Sequence, residues 1–389
     1  MPLKKRIVFV ANTSWSIYKF RFYLLQKLLE QGFSVFVLAP RDGYTGKFEL
    51  MPGLTYIELA KFGGLNPLQD LSLLRELKQH YRRIKPDIIF HYTIKANIWG
   101  SIAAGRSYPS ISVVTGLGYA FSEKKWLKAT AKALYKIAFR RNREIWFLNE
   151  DDRHFFLHEK LVEEKKTFLL PGEGVDAHTY YPAPYERPTP YDQLTPHEQE
   201  QQPVTFLLIA RIIRHKGIYE FVRAAELLQK KGLTIQCQLL GFFDDANPVA
   251  IPRQQVTEWE NRNIVRYLGQ TDDVTPFIKQ ADCIVLPSYR EGMPLSLLEG
   301  ASMCKALIAA DTAGCRAIVR DGINGYLCKK QDSADLADKM EKYYWLPATD
   351  KRQMGLAGRA DVLHHFTREI VAGIYVDKIQ AIEAARQES

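Results

Sequence analysis

Two glutamates and two cations in the second half of the chain are spaced in a way that suits binding of a phosphorylated ligand. Glu291 and Glu299 lie in SYREGMPLSLLEG, residues 288–300, directly after the apolar run CIVLP. Arg211 and Lys216 lie in LLIARIIRHKG, where an apolar run again meets a polar loop. These four side chains are the strongest candidates for chemistry in the sequence.

The loop that holds Glu291 is predicted to lie at the carboxyl edge of a parallel sheet, where ligands of open α/β folds bind. Pro294 suits the first turn of a helix, so Glu291 falls in the loop and Glu299 inside the helix. Backbone N–H groups at Leu295 and Ser296 would then form an anion site at the helix start. A nucleotide sugar, with phosphate in its middle and hydroxyls at both ends, fits this arrangement.

Arg211 and Lys216 are predicted to hold a diphosphate by direct charge pairing and to stabilise its negative charge as it leaves. Two cations from one strand-end loop would replace a metal ion at the diphosphate. The sequence has no Asp-x-Asp pair to bind a divalent cation against a diphosphate. We therefore expect no metal and no cofactor beyond the nucleotide-sugar donor.

Short apolar runs alternate with helix-length periodic segments along both halves of the chain, which is typical of βα units. The sequence predicts two doubly wound α/β domains of the Rossmann type. The predicted boundaries are 1–180 for the first domain, 181–203 for a linker rich in Pro, Gln and Glu, 204–365 for the second domain, and 366–389 for a C-terminal helix. The cysteines at 237, 283, 304, 315 and 328 lack metal-site spacing and are expected to be buried thiols.

The positive charge is confined to one half. Residues 1–180 hold 28 Lys and Arg against 17 Asp and Glu, whereas residues 181–389 hold 25 against 27. The first half is therefore the one expected to meet an anionic partner such as a membrane surface, a lipid diphosphate or nucleic acid. With no apolar run long enough to span a bilayer and no signal peptide at the start, a cytoplasmic location is predicted.

The motifs ARIIRHKG and EGMPLSLLE, with their paired glutamates, resemble those of the retaining GT-B glycosyltransferases of group 1, or family 4. That family has two Rossmann-like domains facing a central cleft. The resemblance implies that Glu291 binds the transferred sugar, that Glu299 binds the ribose, and that the C-terminal helix crosses back onto the first domain. The candidate catalytic residues are Arg211, Lys216 and Glu291. The other expected donor-binding residues are Gly241, Gly269, Gly292, Met293, Pro294, Leu295, Ser296 and Glu299, and UDP is the expected nucleotide of the donor.

Motifs in the first half, among them SIYKFR, HYTIKANIWGSIAA and TGLGYAF, are similar to those of bacterial enzymes that add an N-acetylhexosamine, often N-acetylgalactosamine, to sugars on undecaprenyl diphosphate. The resemblance implies an acceptor site in the first domain and a role in surface-polysaccharide or glycoprotein-glycan assembly. Candidate acceptor residues are Asn12, Ser16, His91, Lys95, Thr115, Gly116 and Gly118. NTSWSIY replaces the glycine-rich first loop of many family members, and TGLG stands where many have a histidine.

A basic stripe runs along the predicted helix within SEKKWLKATAKALYKIAFRRNR, residues 122–143, beside an apolar face. The stripe consists of Lys124, Lys128, Lys132, Lys136 and Arg140. Such a helix can lie on anionic lipid or meet the diphosphate of a lipid-linked acceptor, which would place the enzyme on the inner face of the cell membrane. An apolar face that packs on its own domain, with the lysines in water, accounts for the pattern equally well.

Three questions stay open at the level of sequence. Retention of the sugar's anomeric configuration is compatible with a front-face reaction or with a double displacement through an enzyme carboxylate. A UDP-sugar 2-epimerase can share the two-domain fold and would also need carboxylates near the sugar. A basic nucleic-acid-binding protein would account for the charge, although the chain carries no known nucleic-acid signature.

Overall fold

The computed structural model describes residues 4–60, 62, 66–116, 125–182, 203–245 and 247–387. They form two compact units, the first comprising the described residues up to Gly174 and those from Arg368 onward, and the second Val175–Thr367. The predicted linker at 181–203 falls almost entirely outside the described residues. Val175 donates its N–H to the carbonyl of Phe366 at 2.9 Å, so the segment after Gly174 belongs to the second unit rather than to the first as predicted.

The first unit is built on a parallel sheet of seven strands in the order β3-β2-β1-β4-β5-β6-β7. This is the doubly wound arrangement predicted from the alternating pattern, with the strand order reversing between β1 and β4. The strands are β1 Arg6–Val10, β2 Ser34–Ala39, β3 Leu54–Glu58, β4 Ile88–Tyr92, β5 Ser110–Val114, β6 Glu144–Phe147 and β7 Thr167–Leu169. The helices are Ser14–Glu30, Thr45–Glu49, Pro67–Ile84, Ala96–Gly100, Ser101–Ala104, Lys125–Phe139, Glu150–His158, Glu164–Lys166 and Arg368–Gln387.

Local sequence signals set where several of these helices begin. Thr13 accepts a hydrogen bond from the N–H of Ser16, and Asn66 accepts one from Leu68, so both cap their helices. Asn66 is followed by Pro67 at the first helical position, where a missing N–H costs nothing. Asn149 caps the helix Glu150–His158 in the same way. These caps satisfy N–H groups that would otherwise lack partners.

The C-terminal helix Arg368–Gln387 packs on the first unit around a buried polar contact. The hydroxyl of Tyr92, at the end of β4, donates to that of Tyr375 at 2.9 Å. The guanidinium of Arg21 lies 3.6 Å from the centre of the Tyr92 ring and is paired with Glu173. Burial raises the pKa of Glu173, and the charge of Arg21 opposes that rise. The pair thereby ties the last residues before Gly174 to the helix Ser14–Glu30.

The second unit is built on a parallel sheet of six strands in the order β10-β9-β8-β11-β12-β13. Its order reverses between β8 and β11, as the first sheet's does between β1 and β4. The strands are β8 Val204–Ile209, β9 Ile235–Leu240, β10 Arg266–Tyr267, β11 Cys283–Leu286, β12 Ala306–Ala310 and β13 Gly325–Cys328. The helices are Arg214–Lys216, Ile218–Lys230, Arg253–Asn261, Thr275–Gln280, Leu295–Ser302, Ala313–Arg316, Ser333–Tyr344 and Ala348–His365.

Both faces of the second sheet are covered by apolar packing, which is why its strands read as continuous apolar runs. Within β11, Cys283 and Val285 face one cluster while Ile284 and Leu286 face the other. This alternation follows from the two-residue repeat of a strand. Because both faces are buried, polar ligands can reach the sheet only at the ends of its strands. All five cysteines of the chain are buried, as predicted, and none of them forms a disulfide.

No helix among the described residues is both long and apolar enough to cross a bilayer.

Candidate active site

The reversal of strand order in the second unit brings the loops after β8 and β11 side by side. Because β8 and β11 are neighbouring parallel strands, both loops leave the same edge of the sheet. Lys216 comes from the first loop and Glu291 from the second. The Lys216 Nζ lies 2.5 Å from a carboxylate oxygen of Glu291, with exposed side-chain fractions of 20% and 11%. Two residues that the sequence places 75 positions apart therefore form one ion pair.

Backbone contacts hold these two loops against each other. Gly217 has a φ of +73°, and a Cβ at this position would overlap the backbone of Pro287. A Cβ at Gly314, after β12, would likewise overlap the carbonyl of Gly292 next to Glu291. Close approach of backbone to backbone requires glycine at both places. Gly314 was missed by sequence reasoning, although its position just after a predicted strand was a usable signal.

Arg211 lies at the same edge, with a more exposed side chain. Its guanidinium donates to Asp244 at 2.9 Å, and the Arg211 side chain is 45% exposed. Asp244 follows β9, the strand next to β8. Sequence reasoning did not identify this carboxylate, because nothing in the local pattern links it to Arg211. An anion bound at this edge would compete with Asp244 for the guanidinium.

The helix Leu295–Ser302 starts immediately after the Glu291 loop. Pro294 is the N-cap residue of this helix and directly precedes it, whereas the sequence predicted Pro294 within the first turn. Within the described residues no side chain caps this helix start, while Leu295 and Ser296 are half-buried. The start of the helix therefore presents backbone N–H groups and the positive end of the helix dipole. Met293, in the same loop, is half-buried.

Glu299 lies on this helix and is almost fully buried, with 4% of its surface exposed. Burial raises the pKa of Tyr180, as do the charge of Glu299 and a hydrogen bond between the two side chains. The backbone carbonyl of Tyr180 accepts a hydrogen bond from Ser302 Oγ at 2.7 Å, which fixes Tyr180 to the same helix. Tyr180 is a second residue that sequence reasoning missed, since it is the last residue of the predicted first domain and directly precedes the segment assigned to the linker.

Two glycines complete this edge of the sheet. Gly241 follows β9 and donates its N–H to the carbonyl of Gly269, after β10, at 2.9 Å. Both have positive φ, of 153° and 83°. A Cβ on Gly241 would overlap the carbonyl of Ala210, so the loops after β8, β9 and β10 meet through glycine backbone.

The candidate acceptor residues lie at strand ends of the first unit, in different environments. Asn12 follows β1 and is exposed, while Thr115 and Gly116 follow β5 and are half-buried. Lys95 pairs with Asp70 at 2.6 Å. The hydroxyl of Ser16 donates to the carbonyl of Thr13 at 2.9 Å, within the helix cap. Gly118 lies outside the described residues.

His91 does not belong to an accessible site, and its inclusion among the acceptor candidates was wrong. It is fully buried in β4, where its Nε2 lies 2.9 Å from the hydroxyl of Tyr81. Gly100 packs directly on the imidazole ring. Burial lowers the pKa of His91 to about 3. The side chain is enclosed by the helices before and after β4, through Tyr81, Gly100 and Ser101, and the sequence does not show how these helices pack on the strand.

The basic helix is Lys125–Phe139, and Lys124 lies outside the described residues. Its lysines are in two environments. Lys132 pairs with Glu159 at 2.6 Å, and Lys128 lies 5.5 Å from the centre of the Phe155 ring, so both pack against a neighbouring helix. Lys136 and Arg140 are exposed. The predicted stripe is thus divided between intramolecular packing and open surface.

Two Rossmann-type sheets in one chain, with a cation and carboxylates at the switch point of the second, define the GT-B class of glycosyltransferases. Solved structures share this fold. Sucrose-phosphate synthase from Thermosynechococcus elongatus matches with a TM-score of 0.79 and 19% identity, over 98% of this chain and all of that one. Anabaena HepE in complex with UDP and glucose matches with a TM-score of 0.75 and 17% identity, over 96% and 99%.

The family follows from two sequence matches. Residues 6–149 match the family described as glycosyl transferase 4-like, and residues 193–360 match glycosyl transferases group 1. Residues 193–360 thus carry a group 1 glycosyltransferase domain, as the motifs indicated, and the chain is a glycosyltransferase.

Curated relatives extend this assignment. The chain is 27% identical over 379 residues to the Campylobacter jejuni N,N'-diacetylbacillosaminyl-diphospho-undecaprenol α-1,3-N-acetylgalactosaminyltransferase. The match covers 95% of this chain and 97% of that protein. It is 25% identical to an Escherichia coli UDP-Gal:α-D-GlcNAc-diphosphoundecaprenol α-1,3-galactosyltransferase, over 68% of each chain. These relatives are transferases, which disfavours both the epimerase and the nucleic-acid-binding alternatives.

The buried His91 gives a pH-dependent stability. Its pKa of about 3 in the folded state lies below its ordinary value of 6.5, so between these values the unfolded chain binds a proton that the folded chain excludes. The contribution of neutral His91 to the free energy of unfolding is therefore complete above about pH 6.5 and is lost as the pH falls. At pH 5 the loss should be about 2 kcal/mol.

Thermal unfolding of the wild type and of His91→Gln at pH 7 and pH 5 measures this effect. The drop in Tm between the two pH values should be smaller in the variant, because glutamine does not titrate. Equal drops in the two proteins would contradict the assignment of His91 as a neutral core residue.

Proposed function

We propose that the chain transfers an N-acetylhexosamine from a UDP-linked donor to a glycan on polyprenyl diphosphate. The reaction would retain the anomeric configuration, need no metal ion, and serve bacterial surface-polysaccharide or glycoprotein-glycan assembly. The observation that carries the proposal is the Lys216–Glu291 pair at the switch point of the second sheet. It supplies a cation for a leaving diphosphate beside a carboxylate for sugar hydroxyls.

On this proposal Lys216 and Arg211 bind the donor diphosphate and stabilise the negative charge that develops on the leaving group. An ammonium group has three N–H donors, so Lys216 can keep one on Glu291 while it gives others to phosphate. The uncapped start of the helix Leu295–Ser302 adds backbone N–H groups for the same anion. Gly292, Gly241 and Gly269 allow the ligand to approach the backbone closely.

Glu291 is proposed to orient the transferred sugar through its hydroxyls, and Glu299 to bind the ribose hydroxyls. The hydrogen bond from Tyr180 occupies part of the Glu299 carboxylate, and a carboxylate has acceptor sites for further donors. Tyr180 would therefore fix the orientation of Glu299 for the ribose.

Retention is proposed to proceed by a front-face reaction, in which an oxygen of the departing diphosphate takes the proton of the acceptor hydroxyl. This route needs cations on the leaving group and a carboxylate that orients the sugar, both of which Lys216 and Glu291 can supply. A double displacement would instead need Glu291 to attack the anomeric carbon, although Lys216 already holds one of its oxygens. The pairing favours an orienting role for Glu291.

The acceptor is proposed to bind the first unit, at the carboxyl edge of its sheet. Asn12 follows β1, and Thr115 and Gly116 follow β5, with β4 between these two strands. The excess of Lys and Arg over Asp and Glu lies in residues 1–180. A positive field attracts a lipid diphosphate. The N-acetylgalactosaminyl and galactosyl transferases named above act on undecaprenyl-diphosphate-linked sugars, which supports the same class of acceptor here.

Donor binding is tested by calorimetry with UDP, GDP and dTDP in EDTA, on the wild type and on Lys216→Ala. UDP should bind without metal, and the substitution should weaken it by tenfold or more, because it removes a charge-assisted contact. Lys230→Ala is the matched control, since Lys230 is an exposed lysine of the same unit and should leave UDP binding unchanged.

The same EDTA buffer serves for the transfer reaction. NMR of the new glycosidic bond should show the anomeric configuration of the donor. Nucleotide binding that requires a divalent cation, or that Lys216→Ala leaves intact, would contradict the donor site. An inverted product would contradict the retaining mechanism alone.

Membrane association is proposed to use the exposed part of the basic helix, where Ile137 is 48% exposed between Lys136 and Arg140. Basic residues near an anionic surface contribute about 1 kcal/mol each. Replacing Lys136 and Arg140 by alanine should therefore weaken sedimentation with phosphatidylglycerol vesicles roughly thirtyfold. Phosphatidylcholine vesicles and a Lys230→Ala/Lys279→Ala variant are controls. Equal binding of the variant and the wild type would show that vesicles bind a different surface of the protein.

A further inference from the structure

Tyr289 joins the two loops that supply the ion pair. It lies between the end of β11 and Glu291, and its backbone N–H donates to the carbonyl of His215, next to Lys216, at 2.9 Å. Its hydroxyl donates to a carboxylate oxygen of Glu220 at 2.7 Å. Glu220 lies in the first turn of the helix Ile218–Lys230. One residue thus ties the Glu291 loop both to the Lys216 turn and to the helix that follows it.

The hydroxyl of Tyr289 is held as a donor to Glu220 by geometry and by its surroundings. Burial and the nearby Glu220 carboxylate raise the pKa of Tyr289. The turn Arg214–Lys216 is followed by Gly217 and the helix Ile218–Lys230. By bonding Glu220, the phenol is held by the helix that continues the Lys216 loop.

The contact is not arranged for greatest stability. The second carboxylate oxygen of Glu220, Oε2, is buried and has no hydrogen-bond partner among the described residues. A buried oxygen without a partner costs free energy of folding. Costs of this kind are concentrated at functional sites, where a group is held in place for the chemistry. The Glu220–Tyr289 contact has this character.

We propose that Tyr289, held by Glu220, is a positioning residue that sets the placement of Glu291 against Lys216. The inference rests on the proposed function, because it assigns Tyr289 an effect on catalysis only through Glu291 and Lys216. Tyr289 itself touches neither the sugar nor the diphosphate. Since catalysis by oriented groups is sensitive to small displacements, loss of the hydroxyl should lower the rate of transfer.

The test is a double-mutant cycle on kcat with Tyr289→Phe and Glu291→Gln. Tyr289→Phe alone should lower kcat about tenfold, the effect of one lost hydrogen bond to a charged group. In the Glu291→Gln background the same change should cost less than about threefold, because the residue to be positioned is already gone. A purely structural role would give equal factors in the two backgrounds.

Matched variants distinguish an effect on the position of Glu291 from an effect on the stability of the fold. Tyr343→Phe removes a similar hydrogen bond, from a tyrosine hydroxyl to the carbonyl of Asp282 at 2.9 Å, in the same unit. It should lower Tm at least as much as Tyr289→Phe and leave kcat within twofold. Glu220→Gln, which keeps an oxygen acceptor for Tyr289, should retain kcat, whereas Glu220→Ala should lower it as Tyr289→Phe does.

The outcomes separate the two proposals. If Glu291→Gln alone leaves kcat unchanged, the proposed function fails at Glu291 and this inference fails with it. If Glu291→Gln lowers kcat but Tyr289→Phe is neutral, or equally costly in both backgrounds, only the positioning role is overturned. Loss of kcat in Tyr343→Phe equal to that in Tyr289→Phe would also overturn it.

Discussion

The ion pair between Lys216 and Glu291 is the interaction on which the proposed donor site depends. It exists only because β8 and β11 are parallel neighbours at the point where strand order reverses, so that their loops leave one edge together. A half-buried ion pair gains little net stability, because desolvation of both charges offsets their attraction.

The surrounding backbone is shaped to keep this edge compact and open to a ligand. Gly217 and Gly314 bring the loops after β8, β11 and β12 together, where a side chain would collide with backbone. On the next helix Glu299 is withdrawn from solvent and hydrogen-bonded to Tyr180. Lys216, the start of the helix Leu295–Ser302 and the carboxylates of Glu291 and Glu299 therefore belong to the same loop-and-helix connections of the second sheet. A diphosphate flanked by two sugars has the complementary pattern.

Much of this could be predicted from the sequence, because it depends on local signals. The apolar runs fixed the strands, and their alternation with helices fixed the parallel class of each sheet. The motif around Glu291 placed that residue in a loop and Glu299 in the following helix. What could not be predicted is which side chains meet. The contacts of Lys216 with Glu291, Tyr289 with Glu220 and Tyr180 with Glu299 depend on strand order and register between distant segments. The burial of His91 and the pairing of Lys132 with Glu159 depend on tertiary packing in the same way.

The measurement that tests the central claim most directly is hydrogen–deuterium exchange of the full chain with and without UDP, in EDTA. The account predicts slower exchange in peptides that cover residues 211–217 and 289–298, where ligand and helix N–H groups would meet, and unchanged exchange in β1 to β7. Protection in the strand-end loops of the first unit, with none at the β8 and β11 loops, would contradict the assignment of the switch point as the donor site.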